Sequence, residues 1–286
     1  MGKLHTLENE QLRIRVSTHG AELVSLMDKG TGREYMWSGD EKYWNRVSPV
    51  LFPLVGNYKD HKIVCEGKEY ESGQHGFARD MEFALASKMN DELWFVLNSN
   101  EETLKKYPYR FSLMIGYRLT GRKVRIMWNV MNHDNRQIYF SIGGHPAFLS
   151  PIEGASIEFD VHGPITAGVL EDGLLSDRTK SFALDGGKMT LSYEMFDNDA
   201  LIFEEQEIRR AKLIDPDGKD VLELLFDSPL LGIWSPVGKR APFVCIEPWY
   251  GRTDRSSFSG DLSEREWGNM LKPSEVFSAH YDVIVS

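Results

Sequence analysis

Glu247 stands in FVCIEPWYG, directly after four residues that read as a buried strand, with Pro248 behind it to stop that strand. A carboxylate at the end of an apolar run is costly unless it is paired, hydrogen-bonded or used. Partial desolvation raises its pKa toward the range of a general base. Trp249 beside it offers a flat apolar surface on which a sugar ring could pack. The competing use of this carboxylate is an ion pair with Arg240 or Arg252. His145 lies in GGHPAF, just after the strand-like run IYFSI. The glycines allow close backbone approach and Pro146 fixes the exit, so the imidazole is either a proton-transfer group or a well-placed loop residue. QHGFARD, residues 74 to 80, sets His75, Arg79 and Asp80 around Phe77. It reads as a recognition loop, with His75 and Arg79 donating to ligand oxygens and Phe77 packed behind. The alternative is a surface loop in which Arg79 pairs with Asp80.

The elements that must position these groups are mostly strands. QLRIRV places Leu12, Ile14 and Val16 on one face. FSLMIGYRL, VRIMWNV and IYFSI, separated by TGRK and NHDNR, predict a meander of three strands. RRAKLI and VLELLF flank DPDGKD, whose Asp217-Gly218 predicts a hairpin. LGIWS, FVCIE and the terminal YDVIV add further strands, and the best helical candidates are ETLKKY and SEREWGNML. No internal repeat or linker divides the chain, so its 286 residues are expected to form a single domain, 1–286. Many short strands with turns between them predict an all-β fold, a large antiparallel β-sandwich with a few short helices.

Composition narrows the chemistry. The formal net charge is -10, which argues against a broad phosphate-backbone footprint and hence against a nucleic-acid partner. Cys65 and Cys245 sit in apolar runs and read as buried free thiols of a reducing, cytoplasmic compartment. No signal peptide or membrane span is expected. The start MGKLHT fits the loose myristoylation pattern, but no polybasic segment follows it. HExxH, paired CxxC, EF-hand, Walker A, GxGxxG and GxSxG spellings are missing, so no metal or cofactor is expected.

Taken together, the chain resembles the aldose 1-epimerase (galactose mutarotase-like) family, in its bacterial LacX-type branch. The resemblance runs through THGAELVSL, VSPVLFPLVGNYKD, QHGFARD, GGHPAF, DNDALIF, LGIWSP and CIEPWYG, in register over nearly the whole chain. It implies the galactose mutarotase-like supersandwich with a ligand cleft on one sheet. It also implies Glu247 as catalytic base, His145 as the acid serving the ring oxygen, and His75 and Arg79 as residues holding the sugar. Asp199 matches a carboxylate for sugar hydroxyls, with Asp197 close enough to compete.

Interconverting anomers requires removing the proton from the C1 hydroxyl while protonating the ring oxygen, for which one base and one acid are enough. A protonated His145 calls for a neighbouring carboxylate, and Asp199 is the nominee. Asn57 departs from the pattern, since better-known mutarotases carry an arginine there. Arg46, Lys59 and Arg79 are then candidates for a cationic rim around a phosphorylated sugar, or are simply solvated charges. The expected function is a cofactor-free aldose 1-epimerase acting on a small-molecule sugar, as a monomer or homodimer. The alternatives are a hexose-phosphate epimerase and a non-catalytic carbohydrate-binding protein. A glycoside hydrolase using Glu247 with Asp199 ranks below these.

Overall fold

The computed structural model describes residues 2–204 and 207–286. Strands that alternate apolar and polar side chains need a second apolar layer, and here two large antiparallel sheets supply it to each other. The nine-stranded sheet centres on Phe111–Thr120, Lys123–Asn132 and Val276–Val285. The eight-stranded sheet includes, in spatial order, Leu174–Phe182, Ile165–Glu171, Leu201–Glu204, Leu230–Trp234, Phe243–Tyr250, Ile142–Gly144 and Val50–Leu51. Its eighth strand, Ala147–Leu149, also pairs with Phe243–Tyr250. Ile115, Trp128 and Val283 from one sheet share a continuous core with Phe203, Ile233 and Ile246 from the other. A three-stranded sheet of Leu4–Glu8, Leu12–Ser17 and Leu23–Asp28 adds to this core through Leu12, Ile14 and Val16.

The expected hairpin forms between Arg210–Ile214 and Asp220–Phe226. Asp215 accepts from the Asp217 and Lys219 amides, and Gly218 takes the left-handed φ of 80° that the turn needs. The expected three-strand meander is corrected. Its first two strands pair, but Ile138–Phe140 pairs with Asn269–Leu271 and Ile142–Gly144 joins the eight-stranded sheet. The free edge of Lys123–Asn132 is taken instead by Val276–Val285, in register from Lys123↔Ile284 to Met131↔Val276. A long distant ladder outcompetes a short adjacent one.

The helix expected in ETLKKY forms as Glu101–Lys106, capped by Asn100, which accepts from the Glu102 and Thr103 amides. SEREWGNML is not a helix. Only the single 3-10 turn Leu262–Glu264 forms, Trp267 then adopts φ 60°, and Asn269–Leu271 is a strand. Among the described residues no helix is long and apolar enough to cross a membrane.

Candidate active site

The strand Phe243–Tyr250 is the spine of the site. Val244 and Ile246 point into the shared core, so Phe243, Cys245, Glu247 and Trp249 line the opposite face. Phe243 and Cys245 belong to one small apolar cluster there and Trp249 to another, leaving Glu247 between them, fully buried. The strand does not stop at Pro248, as its sequence suggested, but runs on to Tyr250 with Pro248 opposite Leu231. The neighbouring ladder explains why. Ile142–Gly144 pairs with residues 249–250 and Ala147–Leu149 with 243–245, so His145 and Pro146 interrupt the pairing beside Pro248. A proline lacks only a donor, and at this gap no donor is required.

That interruption is also what presents His145. Its amide bonds the Pro49 carbonyl and the Ala147 amide the Val47 carbonyl, which fixes GGHPAF against residues 47–49. The imidazole stacks on Trp44, with ring centroids 4.7 Å apart, and meets the edges of Trp234 and His75. Its Nε2 lies 3.4 Å from Glu247 Oε2. Both Glu247 oxygens, His145 Nδ1 and the Trp249 indole nitrogen are buried without a hydrogen-bond partner. Buried polar atoms are ordinarily paired, and these are grouped at one place. Two glycines make room beside them: a Cβ on Gly143 would stand 2.5 Å from the Trp249 ring and one on Gly232 2.6 Å from its far edge.

His75 adopts φ 64°, and its Nδ1 accepts the Gly56 amide, so Nε2 carries the hydrogen available to a ligand. Burial, with Arg79 next, drives the His75 pKa well below the ordinary histidine value and keeps the ring neutral. His75, Arg79, His145, Asp199, Asn57, Glu247 and Trp249 line one cavity of 180 Å³. Trp44, Gln74, Trp234 and Thr253 line it as well. Trp44 had no signal beyond an aromatic pair inside the polar stretch EKYWNR, and Trp234 lay in LGIWSP without an assigned role.

Other residues fall elsewhere. Phe77 is buried against Phe111, behind the loop rather than in the cavity. Asp197 is exposed on an adjoining groove. Arg46 is bonded to Asp80 at 2.8 Å, Arg79 approaches the same carboxylate at 3.8 Å, and Lys59 lines a separate cavity of 230 Å³. The three cations therefore do not form one rim. Arg252 is engaged by Glu204 and Glu266, and Arg240 by Glu153, so neither competes for Glu247. At Asn57 the amide side chain donates to the Gly173 carbonyl at 3.3 Å, and Gly173 stands directly against it. A longer side chain there would meet that turn.

The electrostatics correct one expectation. The carboxylate closest to the His145 imidazole is that of Glu247 itself, while Asp199 acts on Glu247, its charge adding to the upward push. Burial raises the Glu247 pKa well above the ordinary carboxylate value. Burial first, then the Arg79 charge, lowers His145 to about 3. Burial thus favours the neutral form of both members of the pair. Burial likewise raises Asp199, partly offset by a hydrogen bond from Trp234.

Comparison with known proteins gives a consistent result. The aldose 1-epimerase family model matches residues 3–283. The chain is 31% identical to the plasmid-encoded protein LacX of Lactococcus lactis subsp. lactis over 296 aligned positions, covering 98% of each. A galactose mutarotase related enzyme from Lactobacillus acidophilus superposes with a TM-score of 0.94 at 32% identity, covering 99% of this chain and 97% of that one. A galactose mutarotase-like protein from Lactobacillus casei superposes equally well, at 0.94 and 28% identity, covering 99% and 100%. With its two-sheet fold, a buried histidine–glutamate pair in a small cavity on one sheet and a family match over nearly its whole length, the chain belongs to the aldose 1-epimerase family.

Proposed function

We propose that this protein interconverts the α and β anomers of an aldose by acid–base ring opening in the 180 Å³ cavity. The observation that carries the reading is the His145–Glu247 pair, 3.4 Å apart, buried, with both carboxylate oxygens unpartnered. The pair needs one proton in all, and burial favours its neutral form, with that proton on the carboxyl group. Hydroxyl groups of an entering sugar stabilise the charged carboxylate, which moves that proton to His145 Nε2. Glu247 then takes the proton of the C1 hydroxyl while His145 protonates the ring oxygen. The C1–O bond to the ring breaks, the aldehyde turns about C1–C2, and closure from the other face returns both protons. His75 Nε2–H and the Arg79 guanidinium donate to sugar oxygens, Asp199 accepts from hydroxyls, and the Trp249 face supports the ring.

Polarimetry on freshly dissolved α-D-glucose and α-D-galactose tests this. The expected outcome is faster approach to anomeric equilibrium, in proportion to protein concentration. Saturable sugar binding without acceleration would leave a carbohydrate-binding protein instead.

A further inference from the structure

The inner cavity opens into a wider groove of 710 Å³. The two share Trp44, Leu170, Gly173, Asp199 and Trp234, so the groove begins where the inner cavity ends. Its outer wall adds the Tyr43 ring and the apolar Pro236 and Val237, with Val237 48% exposed. Glu171, Asp172, Asp197 and Asn198 supply hydrogen-bonding groups along it, and Lys239 is the one cation of the lining.

We propose that this groove is a second sugar subsite, so that the preferred substrate is the reducing end of an uncharged disaccharide rather than a single hexose or a hexose phosphate. The inference rests on the epimerase reading and specifies its substrate class. The inner cavity is below the usual span of small-molecule sites and suits one ring. A ring linked to the far side of that first sugar enters the groove without a new opening. The lining offers both kinds of group a pyranose uses: the aromatic side chains of Tyr43, Trp44 and Trp234 for its C–H side and carboxylates that accept from neighbouring hydroxyls.

The same lining disfavours phosphate. Lys239 is already turned to the Tyr43 carbonyl at 2.7 Å, and Arg178 holds Glu171 but no other carboxylate of the groove. Among the described residues Asp172 and Asp197 have no ion-pair partner, and a phosphate dianion placed beside them meets like charge. The loop bearing Tyr43 and Trp44 is itself fixed, since the Trp44 carbonyl accepts the Trp37 indole N–H at 2.9 Å.

The test compares anomer exchange of maltose, lactose, glucose, galactose and glucose 6-phosphate by NMR, in the wild type and in Val237→Trp, which fills the groove away from the acid–base pair. The wild type should show kcat/KM for a disaccharide at least about fivefold above its monosaccharide, and lowest for the phosphate. Val237→Trp should remove the disaccharide advantage while changing glucose and galactose less than about twofold. Equal monosaccharide and disaccharide values, equal losses in the variant, or preference for the phosphate would each overturn the subsite. If no sugar exchanges faster than in buffer, the epimerase reading fails. The groove is then judged by tryptophan-fluorescence titration, where tighter maltose or lactose binding that Val237→Trp abolishes supports the subsite, and its absence overturns it.

Discussion

At the residue scale, Glu247 carries the conflict between stability and chemistry. It is fully buried, both its oxygens lack partners, and burial raises its pKa because the charged form is costly there. Because the folded-state pKa lies above the ordinary 4.5, the folded protein binds more protons than the unfolded chain once pH exceeds that value. Stability from this group is therefore present at low pH and is lost as pH rises toward the folded pKa. Glutamine has no such slope. Glu247→Gln should match the wild type near pH 4 and exceed it at pH 8 by about 1–3 kcal/mol, read from urea unfolding at the two pH values. His145 has the opposite shift, so its contribution is lost as pH falls from the ordinary 6.5 toward about 3. That term is present in both proteins and largely cancels in the comparison. A variant no more stable at pH 8 than at pH 4, relative to the wild type, would show that the carboxylate is not held against its charge.

At the element scale, the site depends on an irregularity between strands. The pair Ile142–Gly144 and Ala147–Leu149 flanks one central strand with a two-residue gap, and that gap holds the imidazole over the carboxylate. Gly143 faces Trp249 in this pairing and leaves space for its ring. Gly143→Ala places a methyl 2.5 Å from the indole, so the ring or the strand must shift. The expected result is destabilisation by about 1–3 kcal/mol with a larger fall in activity than in Tm, followed by thermal unfolding and anomer exchange. Unchanged activity would mean that Trp249 does not support the substrate. These irregularities were also where sequence patterns were least informative. A continuous apolar run revealed Phe243 to Ile246 as a buried strand, but local rules ended it at Pro248, because a proline's tolerance depends on whether its neighbour needs a donor. The third strand of the meander was misplaced for a related reason: its partners lie at residues 269–271, outside any local window.

At the scale of the whole molecule, the all-β class was legible because it follows from alternation repeated along the chain, and the two packed sheets bear it out. The residues that meet in the inner cavity come from loops near 44, 57, 75 and 199, from the gap that holds His145, and from strand positions near 202, 234 and 247. Glu247, His145, His75 and Arg79 were visible because a charged or titratable side chain in an apolar or glycine-rich setting stands out. Trp44 and Trp234 were not, since an aromatic residue reads equally well as core until its neighbours are known. The charge layout was also a property of the assembled fold. Arg46, Lys59 and Arg79 are close enough in sequence to suggest a rim, yet Lys59 turns to another cavity while Asp172 and Asp197 border the groove.

The most direct test of the central claim is the rate of α-to-β exchange of glucose and galactose in the wild type, Glu247→Gln and His145→Gln, with Tm recorded for each. The account predicts catalysis in the wild type and a loss of about 100-fold or more in either variant, with folding intact. Exchange that survives in a folded Glu247→Gln protein would contradict the assignment of His145 and Glu247 as the acid–base pair.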